Sequence, residues 1–531
     1  MSGVVPGRDE SLTLGAPVHP ARTPAETETA LAAELRTVRP ALVSPYTAEL
    51  PGARAAVLSR LWRGLAHEPL PWVTRRAGDL DGLVLLLADG RRLRGPRPDP
   101  YATAVTVTQV ELDGVVYDHP AALMTALGLP HGGPFAAELA HSAASLALSR
   151  ANQHPSEDPC ALWEWEQRVV DGHPFHPNCR SRPGFSVAEQ LAYAPEHRPV
   201  VELRTVAVRE DDCRVTGEWP YREAGRVLIP VHPWQARHVL KDEKTLGDGM
   251  AAHPLMSLRT LAVPGGPHLK TALSARLTSS VRDISVYSIT SAATVSAFME
   301  SMAGRLDGLL HITRTLGAVT ANTPDLAAVS RESPDVYART GEQVVPVASL
   351  AADVRPRSAD WLAQFSRLAL TVGLRLLDLG VALEAHGQNL LVVLSPAGAP
   401  VRLVYRDLAD IRISPARLAR HGIPAPDLTG RIVTDDESVL RSKLFGSLVA
   451  GTLAATAGSA SALREALSAA VRDLPRTPDL TALLEEPLPA KALTLMRLSP
   501  ERPGDIWARL PNPLADPPSG RSTGRSSGQP F

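Results

Sequence analysis

The stretch Glu384–Asp407, EAHGQNLLVVLSPAGAPVRLVYRD, constrains this chain more than any other. It opens on four polar residues, Glu384, His386, Gln388 and Asn389. The apolar run Leu390–Leu394 reads as a buried strand, Ser395–Pro400 as a turn, and Val401–Tyr405 as a second strand ending on Arg406 and Asp407. Two strands joined by a short turn bring the chain back to its start, so Asn389 and Asp407 are expected side by side. An amide oxygen beside a carboxylate suits a Mg²⁺ that also holds substrate phosphates. Polar groups at the end of a buried hairpin cost about 1–3 kcal/mol each when unpaired. They therefore point either to a metal–nucleotide centre or to a hydrogen-bonded polar plug.

A chain of 531 residues has room for two or three domains and a large core. A formal net charge of −1 gives no overall pull toward nucleic acid or a membrane surface. No apolar run reaches transmembrane length, and the N-terminus lacks the order of a signal peptide. Cys160, Cys179 and Cys213 are too few and too odd for a disulfide framework. The expectation is a soluble, cytoplasmic protein. Its basic residues are almost all arginine, the five lysines being Lys241, Lys244, Lys270, Lys443 and Lys491. A lysine retained in such a background is a mild pointer to a task.

Residues 1–27, rich in Pro, Gly and Thr, read as a mobile arm. Helical patterns follow at Glu28–Val38, Ala53–Ala66 and Pro134–Asn152. Leu83–Leu87 reads as a strand, and Val105–Leu112 and Val115–Tyr117 form a hairpin about Asp113–Gly114. Val200–Val208 and Arg226–Val231 are strand-like. Trp361–Leu379 has clear helical spacing, with Gly380 placed to end it. Beyond Asp407 the chain reads as mainly helical, through Glu437–Thr456 and Ser461–Asp473, and Pro511–Phe531 reads as disordered.

Several motifs carry chemistry. His173, His176 and Cys179 in GHPFHPNCRSRPGF have a spacing that tempts a zinc reading, but no second ligand pair exists. Arg180 and Arg182 offer forked anion binding instead, against the alternative of a proline-stiffened loop with surface arginines. HPWQ at His232–Gln235 is equally well read as a turn packing Trp234 and satisfying His232 locally. Ser257-Leu258-Arg259-Thr260, then Lys270, Thr278, Ser279 and Arg282, gather cations and hydroxyls in an otherwise apolar window, as polyphosphate or polycarboxylate binding requires. No Walker or GxGxxG loop is present, so a nucleotide would be held by side chains.

In this order the motifs HPFHPNCR (His173–Arg180), HPWQ, SLRT (Ser257–Thr260), K…TSSVR (Lys270–Arg282), RESP (Arg331–Pro334), EAHGQN (Glu384–Asn389) and RD (Arg406–Asp407) resemble the IucA/IucC family of siderophore synthetases. The resemblance implies an α+β cupped hand: a thumb at 1–158, fingers at 159–350, a mostly helical palm at 351–510 that carries a kinase-like metal-binding hairpin, and a tail at 511–531. It also implies ATP, Mg²⁺, adenylation of citrate or a related acid, and displacement of AMP by an amine or hydroxyl, with a homodimer as the family expectation. By the same resemblance Lys270, Arg282 and His386 are the catalytic set. Ser257, Arg259, Thr260, Lys270 and Gln388 would bind ATP. His173, Arg180, Thr278, Ser279, Arg282 and His386 would bind the acid, and Glu384, Asn389 and Asp407 the Mg²⁺. Arg180 stands where the family commonly has lysine, a change of geometry at constant charge. Two other classes compete: a small-molecule kinase, since Glu384–Asn389 and Asp407 mimic a catalytic loop and metal aspartate, and an idle ligand-binding paralogue.

Overall fold

The computed structural model describes residues 23–78, 82–153, 158–241, 245–278, 280–352, 358–502 and 504–515. Ser279, residues 1–22 of the expected arm and 516–531 of the expected tail lie outside them. Two corrections arise at the ends. Thr23 caps a helix α1 (Pro24–Val38) through a reciprocal capping box with Glu26, so residues 23–27 belong to an ordered helix. At the other end, Tyr101 Oη donates to Pro511 O at 2.7 Å, and Asn512 Nδ2 donates to Leu483 O and Glu486 O at 2.8 and 2.7 Å.

Helix α2 (Val43–His67) begins ten residues before the expected Ala53 and runs through Pro51. Proline removes one helical donor, but the buried face from Ala53 to Leu65 binds the helix to its neighbours and overrides the local penalty. α2 packs on α3 (Gly132–Ala151) and on a five-stranded antiparallel meander spanning 73–117. The Asp113–Gly114 hairpin is present, with its first strand only Val110–Leu112. The core around α2 also takes in Ala492, Leu495, Leu498 and Ile506 from the far end of the chain.

The middle of the chain forms a nine-stranded antiparallel sheet. Its strands β1 (Thr260–Ala262), β2 (His268–Thr271) and, later in the chain, β5 (Ala327–Arg331) lie side by side. Between them in sequence, β3 (Leu273–Leu277) and β4 (Ser280–Arg282) make a separate hairpin. This is the segment whose apolar pattern supports no helix; it alternates because it is strand.

The central hairpin pairs β6 (Leu390–Leu394) with β7 (Pro400–Tyr405) inside a four-stranded sheet. Helix α4 (Ala359–Leu379) precedes it and ends on Gly380 at φ 110°, a left-handed cap that glycine adopts without strain. The C-terminal part is not wholly helical: Leu488–Lys491 and Trp507–Leu510 pair as a two-stranded ribbon. The expected helix from Glu437 is α5 (Glu437–Leu444), continued by a π-helical stretch Phe445–Leu453 and a last turn Ala454–Ala457.

Among the described residues no single helix is long and apolar enough to cross a membrane. One pair bent by 117°, Glu437–Ala457 with Ala460–Asp473, passes by length and composition. Its apolar residues Leu444, Leu448, Leu453 and Leu467 are buried in the protein's own core.

Candidate functional site

The ladder of the central hairpin ends on Leu390 opposite Tyr405, and Arg406 N donates to Asn389 O at 3.0 Å. Asn389 and Asp407 thus leave the hairpin together, as its strand–turn–strand pattern implies. Asp407 has φ 67°, a left-handed turn that a short polar side chain tolerates better than most. Its carboxylate meets the nine-stranded sheet: Lys270 Nζ lies 2.9 and 2.8 Å from its two oxygens, and Arg331 Nη2 lies 3.0 Å from Oδ1. Sheet register explains the pairing. On β2 and β5, His268 faces Arg331 and Lys270 faces Val329, so the period-2 pleat puts Lys270 and Arg331 on one face as diagonal neighbours.

Burial pushes Lys270 down to about 7 against the pull of Asp407, with Arg331 and Arg259 adding to the fall. Burial likewise pushes Arg259 down to about 10, and lowers Arg282. Burial works against the Asp407 anion, yet Arg331 and Lys270 hold its carboxyl well below the usual range. Lys270 and Arg331 share the Asp407 carboxylate, with Arg259 and Arg282 within its electrostatic reach and Asp283, Glu384 and Asp410 within reach of those two arginines.

A second cluster adjoins it at Glu384. Glu384 Oε1 accepts from Lys443 Nζ at 3.2 Å and Lys491 Nζ at 2.8 Å, and both lysines also approach Asp505, at 3.6 and 3.2 Å. Despite burial, these cations and His386 hold Glu384 down to about 2. The π-helical stretch fixes this segment: Ser447 Oγ accepts from Ala385 N at 2.9 Å, and Thr452 Oγ1 donates to Ala385 O at 2.6 Å. His386 Nε2 stands 4.0 Å from Glu384 Oε2, its side chain one-third exposed. Burial lowers His386, with Lys491 and Arg282 adding to the fall. His173, beside His386, is pushed down to about 3 by burial and then by that neighbouring ring.

Four histidine-proline pairs share one local design. In His119, His173, His176 and His232 the ring Nδ1 accepts the N–H of the second residue on, at 3.1, 3.2, 2.9 and 3.1 Å. A proline next in sequence keeps the histidine extended, leaving its ring free to cap that amide. Nδ1 being the acceptor, the neutral ring carries its proton on Nε2. For HPWQ this is the local satisfaction of His232, with Trp234 stacked on Phe185 at 5.0 Å. Among the described residues, no group of three or more His, Cys, Asp or Glu side chains is placed to hold a metal ion.

Other sequence-derived site residues fall differently. Arg180 is corrected: its guanidinium donates to Val170 O at 2.7 Å and to Val169 O, and lies 3.6 Å from Glu196. Arg182 Nη2 also donates to Glu196, at 3.0 Å. The anion these arginines grip is the protein's own buried carboxylate. Arg259 Nη1 donates to the carbonyls of Arg282 and Asp283, the latter at 2.7 Å, which braces β4 against the SLRT segment. Ser257 Oγ accepts from Thr260 N at 3.1 Å, and Thr260 is buried opposite Lys270. Thr278 takes φ 57° at the β3–β4 turn, and Arg282 donates to Leu277 O at 3.2 Å across it. Gln388 offers its carbonyl to Arg406 Nε at 3.0 Å. Arg406 Nη1 meets Glu166 at 2.7 Å, and Glu166 accepts from Met256 N at 2.9 Å, tying the hairpin to the SLRT segment.

The residues that motif reading left without a role are Arg331, Lys443 and Lys491. The scarcity of lysine was the available signal, since three of the five lysines converge here.

Comparison with known proteins adds the following. Residues 161–352 match the IucA / IucC family, and residues 359–506 match the family described as ferric iron reductase FhuF-like transporter. A citryl-spermidine/3,4-dihydroxybenzoyl-citryl-spermidine:spermidine ligase of Bacillus anthracis is 25% identical over 312 residues, 46% of this chain and 51% of the ligase. The chain thus spans about half the length of that curated relative. The petrobactin biosynthesis protein AsbB of B. anthracis shares the fold, with a TM-score of 0.74 at 19% identity over 89% of this chain and 97% of AsbB. So does ATP-bound aerobactin synthetase IucA of Klebsiella pneumoniae, with a TM-score of 0.67 at 20% identity over 87% and 99%.

Proposed function

For a chain that is a member of the IucA/IucC family, we propose an ATP-dependent ligase that joins a carboxylate of citrate or a related polycarboxylic acid to an amine or hydroxyl. The carboxylate is first adenylated, releasing pyrophosphate, and the nucleophile then displaces AMP. The observation that carries this reading is the group of buried cations gathered about Asp407. Adenylation brings two anions together, and cations fixed in a dry site supply the screening water would otherwise give. The named relatives add support, one a citryl–spermidine ligase and one a synthetase with ATP bound.

In this reading Lys270 and Arg259, with Ser257, Thr260 and Gln388 nearby, face the triphosphate. Arg282, Thr278, His386 and His173 face the acid. His173, pushed down to about 3 by burial, orients it as a neutral hydrogen-bond donor rather than as a charge. Arg180 is withdrawn from the acid set, because its donors serve the fold. Asn389 and Asp407 fit a Mg²⁺ that takes its other ligands from phosphates and water. Glu384 fits less well, being already balanced by two ammonium groups. A bound Mg²⁺ would supply charge neutralisation at the phosphates. The second step needs mainly positioning of the nucleophile, since the mixed anhydride is already activated. The thumb, fingers and palm divisions at 1–158, 159–350 and 351–510 are proposed on the same footing.

The test is pyrophosphate release from ATP and Mg²⁺ with a panel of acids (citrate, 2-oxoglutarate, succinate derivatives), with and without hydroxylamine as a trap. Acid-dependent pyrophosphate together with a hydroxamate establishes the ligase. ADP in its place identifies a kinase, and no turnover with any acid favours an idle paralogue.

A further inference from the structure

We propose that Arg331 is a further triphosphate-binding residue, one that holds Asp407 in the nucleotide-free protein and moves to a phosphate oxygen when ATP binds. The inference rests on the ATP-dependent reading above and gives a role to a residue that motif reading left without one.

Three observations carry it. The first is placement: Arg331 ends β5, and sheet register sets it diagonally beside Lys270 on the same face, so two cations project from neighbouring strands toward one point. The second is charge. Among the described residues Asp407 is the one carboxylate in an ion pair with both, Lys270 by two contacts and Arg331 by one. The two cations share that carboxylate where the Lys270 and Arg331 side chains are only 9% and 11% exposed. Two buried cations on one carboxylate are under-neutralised as a pair, so a further anion at this point is favourable. The third is the partner's exposure. The Asp407 side chain is 27% exposed, more than either cation, so the contact opens on the side from which a ligand arrives.

A guanidinium is the group for this exchange. Arg331 gives one nitrogen, Nη2, to Asp407 Oδ1. Its planar fork can engage a phosphate with two donors at once, whereas Lys270 acts as a point charge. Moving Arg331 to phosphate also relieves the crowding of two cations on one carboxylate.

The experiment uses the full chain without added divalent ion, with EDTA present, and measures equilibrium binding of ATP and of adenosine to wild type, Arg331→Lys and Arg331→Met. The expected result is about tenfold or greater weakening of ATP binding in Arg331→Met, with adenosine affinity unchanged and Arg331→Lys intermediate. ATP affinity in Arg331→Met equal to wild type overturns the inference and leaves the ligase reading standing. Equal weakening of ATP and adenosine also overturns it, since a merely structural arginine would act that way. The Lys variant keeps the charge next to Asp407 and so preserves the test if Arg331→Met folds poorly. A wild-type protein that binds no ATP overturns both this inference and the reading beneath it.

Discussion

Glu196 and Asp407 each sit between two cations supplied by other parts of the chain, Arg180 with Arg182 in one case and Lys270 with Arg331 in the other. Around Glu196 the charged groups are turned inward. Arg180 gives its remaining donors to the carbonyls of Val169 and Val170, Ser149 Oγ donates to Glu196 at 2.7 Å, and the carboxylate has no exposure. Around Asp407 the two paired cations share one carboxylate, which is open to solvent on one side. The same residue types thus make a closed structural knot in one place and a solvent-open cluster in another. What separates them is whether the rest of the fold has satisfied the donors.

The largest effect that would sharpen this contrast is on chemistry. Lys270→Ala, Arg282→Ala and His386→Ala should each lower acid-dependent pyrophosphate release by on the order of 10²–10³-fold or more with the circular dichroism unchanged. Normal turnover in all three would remove the site assignment. Arg182→Met should do the reverse. It strands the buried Glu196 charge at a local cost of about 3–5 kcal/mol, so melting temperature and soluble yield fall, while any protein that folds keeps its ATP affinity.

A smaller effect separates the clusters by pH. Burial opposes the Glu196 anion, but Arg180 and Arg182 hold its carboxyl well below the ordinary 4.5. A depressed folded pKa means that its stabilisation is complete above about 4.5 and is lost as pH falls toward the folded value. Acid unfolding followed by near-ultraviolet circular dichroism should therefore steepen below pH 4.5, and Arg182→Met should flatten that dependence. The smallest effect belongs to the exposed pair Arg367–Asp473, with side chains 52% and 66% exposed. Arg367→Ala should change stability by less than about 1 kcal/mol and leave turnover unaffected. A larger change would mean that burial is the wrong criterion for ranking these pairs.

Much of the local structure around the candidate site was legible in the sequence. The hairpin Leu390–Tyr405 announced itself by two apolar runs about a proline-glycine turn, and its geometry required Asn389 and Asp407 to emerge together. The helix Ala359–Leu379 and its Gly380 stop followed from 3.6-residue spacing and a cap residue. These are local matters, decided within a few residues by dihedral preference and side-chain period. Where local signals misled, packing had won: helix α2 runs through Pro51 because its buried face outweighs one lost hydrogen bond, and the ribbon at 488–510 pairs strands whose own sequences read as helical surroundings.

The sequence by itself determined which residue types are present and how each is held near its own backbone, down to the histidine-proline turns that set the imidazole proton on Nε2. Only the tertiary structure decided which charges meet. On paper Arg180 reads as an anion binder and Arg331 carries no assigned role. Arg180 is spent on Val169, Val170 and Glu196, whereas Arg331 lies across a strand pair from Lys270 and over Asp407, 76 residues away in the chain. The physical reason is that pairing between distant charges depends on sheet register and desolvation, neither of which is encoded within a short window of residues.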